Sequence, residues 1–196
     1  MIAVETIPQR WRLAMPVTAV VVVALLWWYH GTALSIVDIW YRSGTYAHGF
    51  LIAPISAWLV WQKRRHLARL TPRPTLWPVA GIAAFSLLWA VAHAIEVQVV
   101  QQLCLVAMIV LALIAMLGRR VVGVIAFPVG FLFLAVPMGD GLITPLMHFT
   151  AVFTVKALQL TGIPVLWEGT YITLPNGQWQ VAAACSGVRY LIASVT

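Results

Sequence analysis

VVQQLCLVAMIVLALIAML, residues 99–117, runs for nineteen positions without a charge. A helix needs about 20 mostly apolar residues to cross the hydrocarbon core of a bilayer. The length excludes an ordinary strand, and the absence of a polar face excludes a surface helix of a soluble protein. Outward from this run, four more segments of the same character occur, at roughly 13–29, 47–62, 76–94 and 120–137. The second is short and contains Pro54, which a membrane helix tolerates when neighbours satisfy the freed carbonyl.

The whole chain shares this composition. Of 196 residues, 62% are apolar and 9% charged, against about 25% charged in soluble domains. The expected fold is an all-α polytopic membrane protein of about five to seven transmembrane helices, with residues 1–196 as one domain. The first apolar run ends in Trp27, Trp28 and Tyr29 with no small-residue cleavage site, so it reads as a retained helix.

The net charge of +7 is distributed as a topology signal. Arg10 and Arg12 precede the first segment; Lys63, Arg64, Arg65, Arg69 and Arg73 follow the second; Arg119 and Arg120 separate the fourth from the fifth. If the spans alternate, these nine of the twelve Lys and Arg share one side. The other side holds Asp38, Glu96 and Asp140, with Arg42. The positive-inside rule then predicts a cytoplasmic N-terminus and an outward end of the fifth span. Basic residues in short loops exclude the clustered face of a nucleic-acid binder. No metal-ligand spacing, P-loop or dinucleotide fingerprint is present, and no cofactor is expected.

Residues 141–161, GLITPLMHFTAVFTVKALQLT, are long enough for another span. Thr144, His148, Lys156 and Gln159 fall within about 120° of a helical wheel, and a central lysine is costly in a lone span. The segment reads as an amphipathic helix at the outer interface. Residues 163–182, IPVLWEGTYITLPNGQWQVA, turn to strand formers, and Asn176-Gly177 is a type I′ turn signal. A periplasmic β-hairpin of about ten residues per arm is expected.

After the hairpin comes AAACSGVRYLIASVT, in which an apolar run begins at Val188. The expectation is a helix with Cys185 in its first turn or at its cap. Unpaired N–H groups and the helix dipole there favour a thiolate, the nucleophilic form. Arg189, one turn on, would lower the thiol pKa further. Ser186 and Gly187 would offer backbone N–H groups to an oxyanion. Cys104, inside the 99–117 run, reads instead as a small buried hydrophobe.

At these residues the chain resembles the exosortase/archaeosortase family of membrane-embedded cysteine transpeptidases. The resemblance rests on ACSGVRYLIAS around the cysteine, LPNGQWQV before it, SGTYAHGFLIAPISAWLVWQKR with its Tyr-x-His-Gly start, and VPMGDGLITPLMHFT after the fifth span. It implies a protease or transpeptidase of the bacterial inner membrane, with Cys185 on the periplasmic side. Such an enzyme cleaves C-terminal sorting signals that carry a Pro-Glu-Pro motif, a membrane helix and a basic tail. Cys185 forms an acyl-enzyme, and the protein passes to an unknown acceptor at the cell surface, in a setting linked to exopolysaccharide export. The implied partners are the sorting-signal helix, the acceptor and the bilayer. The family's catalytic arginine and histidine lie on later helices, so the chain is expected to be an N-terminal fragment, inactive alone. Arg189 then has a local supporting role, and His48 is the one histidine placed to support the site. Ala183 stands where the family usually has a glutamate. A non-catalytic membrane scaffold or transporter component, or an inactive truncated exosortase, are the competing readings.

Overall fold

The computed structural model describes residues 9–162, 165–174, 177–182 and 187. The chain divides into two units, residues 1–136 and 137–196.

The first unit is helical: α1 (Gln9–Trp28), α2 (His30–Arg42), α3 (Gly49–Gln62), α4 (Arg64–Ala68), α5 (Trp77–Ala94), α6 (Gln98–Leu117), α7 (Arg119–Val124), α8 (Ala126–Phe131) and a 3₁₀ turn, Leu132–Ala135. Among the described residues, three helices are long and apolar enough to cross a membrane: Trp11–Trp28 in α1, α5 and α6. All three fall on expected spans.

The other two expected spans are built differently. The second is the fourteen-residue α3, with Pro54 inside it. The fifth is broken into α7, α8 and the 3₁₀ turn. Pro128 explains the break. Its ring nitrogen has no N–H to give to the carbonyl of Val124, four residues back. The Lys63 ammonium donates to that carbonyl instead, at 2.6 Å, as freed groups in membrane helices require. The start of the segment is set by Gly118, whose φ of +86 ends α6 and whose Cα lies against the Arg73 carbonyl, leaving no room for a Cβ.

α6 is the axis of this unit. Towards its start, Cys104, Leu105 and Met108 form a buried cluster with Tyr29 and Ile36. Towards its end, Leu117 joins Trp11, Leu67, Val121, Val122, Ile125 and Val129. Cys104 is fully buried, as a small hydrophobe would be. At this second end the Trp11 indole donates to the Leu70 carbonyl (2.7 Å), and the amides of Arg73 and Thr75 donate to the carbonyls of Leu117 and Ala115. The segments carrying Arg12, Lys63–Arg73 and Arg119–Arg120 therefore meet at one end of the unit. The opposite end gathers Tyr29, Thr32, Trp89 and Gln101. Leu13, Val20, Leu87, Trp27 and Trp28 are exposed on the outside, which suits helices whose solvent is lipid.

Two details were not expected. Residues 30–42, which lie between the first two expected spans, form α2, which buries Thr32 and Ile36 and exposes an Asp38–Arg42 ion pair. The turn from α5 to α6 is closed by Glu96 at φ +58. Its amide donates to the His93 carbonyl and that of Val97 to Ala92, the Schellman pairing that glycine usually closes.

The second unit packs α9 (Asp140–Leu160) on a small antiparallel sheet of β1 (Leu166–Glu168), β2 (Tyr171–Leu174) and β3 (Gly177–Gln180). One hairpin with ten-residue arms is corrected to three short strands. Gly169, at φ +61, turns the chain between the paired Glu168 and Tyr171, and glycine first in a two-residue loop is the II′ pattern. In the second connection Leu174 pairs with Gly177. Gly177 is therefore the first residue of β3 and not the second residue of the expected Asn176-Gly177 turn; Asn176 lies outside the described residues. Ala151 and Val155 of α9 bury against Ile172 and Val181, with Met147 and Leu158 beside them. The expected polar arc, Thr144, His148, Lys156 and Gln159, is exposed. Phe149, Phe153 and Leu160 are exposed as well.

Candidate functional site

Three of the five site residues read from the sequence, Cys185, Ser186 and Arg189, lie outside the described residues. Gly187 and His48 are described, and they belong to different units.

The approach to the cysteine is anchored. β3 ends at Gln180, and the Val181 amide donates to the Thr170 carbonyl at 2.8 Å, extending the ladder by one residue. The Val181 side chain is buried against α9. Alternation along β3 sets this, since Ile172 pairs with Trp179 and Val181 follows at the same parity. Gly187 is half-buried at φ +70. This is the left-handed region, which no α-helix includes. The expected helical first turn is corrected here: no helix runs through position 187. Nothing lies within 4 Å of where a Gly187 Cβ would stand, so the backbone angle, not crowding, calls for glycine.

His48 stands immediately before α3, half-buried. Its Nδ1 lies 3.1 Å from the Thr45 carbonyl. A carbonyl only accepts, so Nδ1 is the donor of this bond. The ring tilts against Tyr46 at a centroid distance of 6.4 Å. Gly49 lets this happen. The Trp40 indole lies directly on its backbone, where a Cβ would overlap the ring, while Trp40 Nε1 donates to the Ala135 carbonyl (2.8 Å). The Tyr-Ala-His-Gly stretch is thereby pinned to the end of the 3₁₀ turn.

The sequence reading missed a polar cavity of about 570 Å³ between α2, α5 and α6, bordered by Trp28, Ser35, Trp89, His93, Glu96 and Gln101. His93 stacks on Trp89 (4.9 Å, 7°), and Trp89 Nε1 donates to Thr32 Oγ1 (3.0 Å). Behind Ser35, the fully buried Gln102 donates to Ser35 Oγ (3.0 Å), and its Oε1 has no partner among the described residues. The signal was present: Gln101 and Gln102 interrupt an apolar run. Among the described residues, no three His, Cys, Asp or Glu side chains gather as a metal site requires.

A family model described as transmembrane exosortase matches residues 40–196. The chain belongs to the transmembrane exosortase family. The match begins at Trp40, the residue seated on Gly49, and continues through His48, both units and the cysteine motif. This exosortase is a membrane-embedded protein related to protein sorting, in a family that is in general one of cysteine transpeptidases. No curated protein and no solved structure matches the chain.

Proposed function

We propose that this exosortase contributes Cys185 as the nucleophile of a thiol protease or transpeptidase acting at the periplasmic face of the bacterial inner membrane. The observation that carries the proposal is the family match, which includes the Ala-Cys-Ser-Gly stretch. The Cys185 thiolate attacks the scissile carbonyl carbon of a C-terminal sorting signal. A C–S bond forms, the peptide C–N bond breaks, and the departing amine takes up a proton. The thioester is then opened by water or by a nucleophile on a surface acceptor. The sorting-signal helix approaches through the bilayer, and the link to exopolysaccharide export belongs to the same reading. The gathering of basic segments at one end of the first unit supports a cytoplasmic N-terminus. The Val181–Thr170 bond and buried Val181 support a fixed entry to the cysteine.

The test is processing of a Pro-Glu-Pro-tagged reporter in cells whose own gene carries Cys185→Ala or Cys185→Ser. Both are expected to leave the tag uncleaved, a loss of at least about a thousandfold for a missing nucleophile. Normal processing by Cys185→Ala would sink the proposal.

A further inference from the structure

An apolar groove lies at the basic end of the first unit. It has a volume of about 520 Å³ and runs between α1 and α3, walled by Trp11, Met15, Ala57 and Trp61 and closed at one end by Arg64 and Arg65. Its volume is that of a small-molecule site. Its wall is apolar and open: Met15 and Trp61 are 62% and 59% exposed. Arg64 lies over the Trp61 ring at 4.2 Å and reaches the Trp61 carbonyl at 3.4 Å, which holds its guanidinium at the mouth of the groove. Arg65 has no ion pair or hydrogen bond among the described residues.

The local charge is uncompensated. The first unit contains three acidic residues, Glu5, Asp38 and Glu96. Asp38 pairs with Arg42, and Glu96 stands in the turn at the opposite end. Glu5 lies outside the described residues. An apolar channel ending in two adjacent guanidiniums is complementary to one kind of molecule, an acyl chain joined to an anionic phosphate. Arginine matches phosphate oxygens with paired N–H donors, and basic pockets between helices on the cytoplasmic side suit anionic headgroups. The same charges repel the basic tail of a sorting signal, which makes that segment the wrong occupant.

We infer that the α1–α3 groove is a binding site for an anionic phospholipid, its phosphate on Arg64 and Arg65 and one chain along Trp11, Met15, Ala57 and Trp61. Native mass spectrometry of the protein in detergent, with phosphatidylglycerol or phosphatidylcholine of the same chains, tests it. Phosphatidylglycerol is expected to be retained, with an affinity about tenfold above phosphatidylcholine, whose phosphate reaches the same guanidiniums but whose choline cation is repelled by them. Arg64→Gln with Arg65→Gln is expected to abolish the preference. Arg119→Gln with Arg120→Gln, an equal change of net charge, is expected to leave it intact. Ala57→Trp fills the groove without touching the charges and is expected to weaken both lipids, which keeps the test alive if the arginine variant does not fold. Equal retention of the two lipids, equal loss in both arginine variants, or unchanged binding by Ala57→Trp would each overturn the site in favour of unspecific surface lipid.

Discussion

Gly49 does more than start a helix. The Trp40 indole occupies the space a Cβ would need, and the same indole is tied to the Ala135 carbonyl. Gly49→Ala therefore forces the ring off its seat, at about 1–3 kcal/mol for overpacking. Thermal unfolding in detergent should show the loss. Because the penalty comes from the clash, it should shrink when Trp40→Leu is already present, and a double-mutant cycle would read that coupling. Equal losses in both backgrounds would place the cost in the helix start itself. The residue scale was only half legible in the sequence. Tyr-Ala-His-Gly marked the place, yet the partner of the glycine is a tryptophan nine positions earlier, which spacing does not reveal. The same holds at Gly187. The motif drew attention to its N–H, but the left-handed angle at Gly187 is a property of the folded backbone, and the apolar run that begins at Val188 pointed the other way.

At the scale of elements, hydropathy found long uninterrupted helices and misjudged interrupted ones. α1, α5 and α6 followed from length and composition. Residues 119–135 did not, because a glycine and a proline divide a run that averages as apolar, and a lysine from another segment satisfies the carbonyl left over. α2 is too short and polar for a span, and its burial of Thr32 and Ile36 comes from neighbours. The sheet was legible as strand-forming sequence, while its strand number turned on Gly169. In this unit α9 and β2 hold each other through Ala151, Val155 and Ile172. Ile172 is 4% exposed, so Ile172→Ala removes core volume at about 2–4 kcal/mol. Hydrogen exchange should then show faster amides over 166–174 and 177–181, with α6 amides unchanged. Acceleration spread evenly through α6 would mean that the two units unfold as one, against their separate cores.

At the scale of the whole molecule, the charge pattern and the packing give one arrangement of the first unit. Segments bearing nine of the twelve Lys and Arg meet at one end, and Glu96 turns the chain at the other. In the proposed function the basic end faces the cytoplasm, the side that the insertion bias of Lys and Arg in short loops favours. The assignment has a direct chemical reading, because one of the two cysteines reports nothing. Cys104 is 1% exposed inside α6 and should stay unlabelled. A membrane-impermeant maleimide added to intact spheroplasts should then modify one site, Cys185. The opposite end needs its own reporter, and Thr71, exposed between Lys63 and Arg73, provides it as Thr71→Cys in a Cys185→Ala background. That variant should react only after permeabilisation. The reverse pattern would invert the protein and remove the cysteine from the compartment in which exported substrates arrive. Labelling of both positions from outside would instead mean that an odd number of crossings does not separate Thr71 from Cys185, and α9, with its exposed Phe149 and Phe153, would be the segment to probe next.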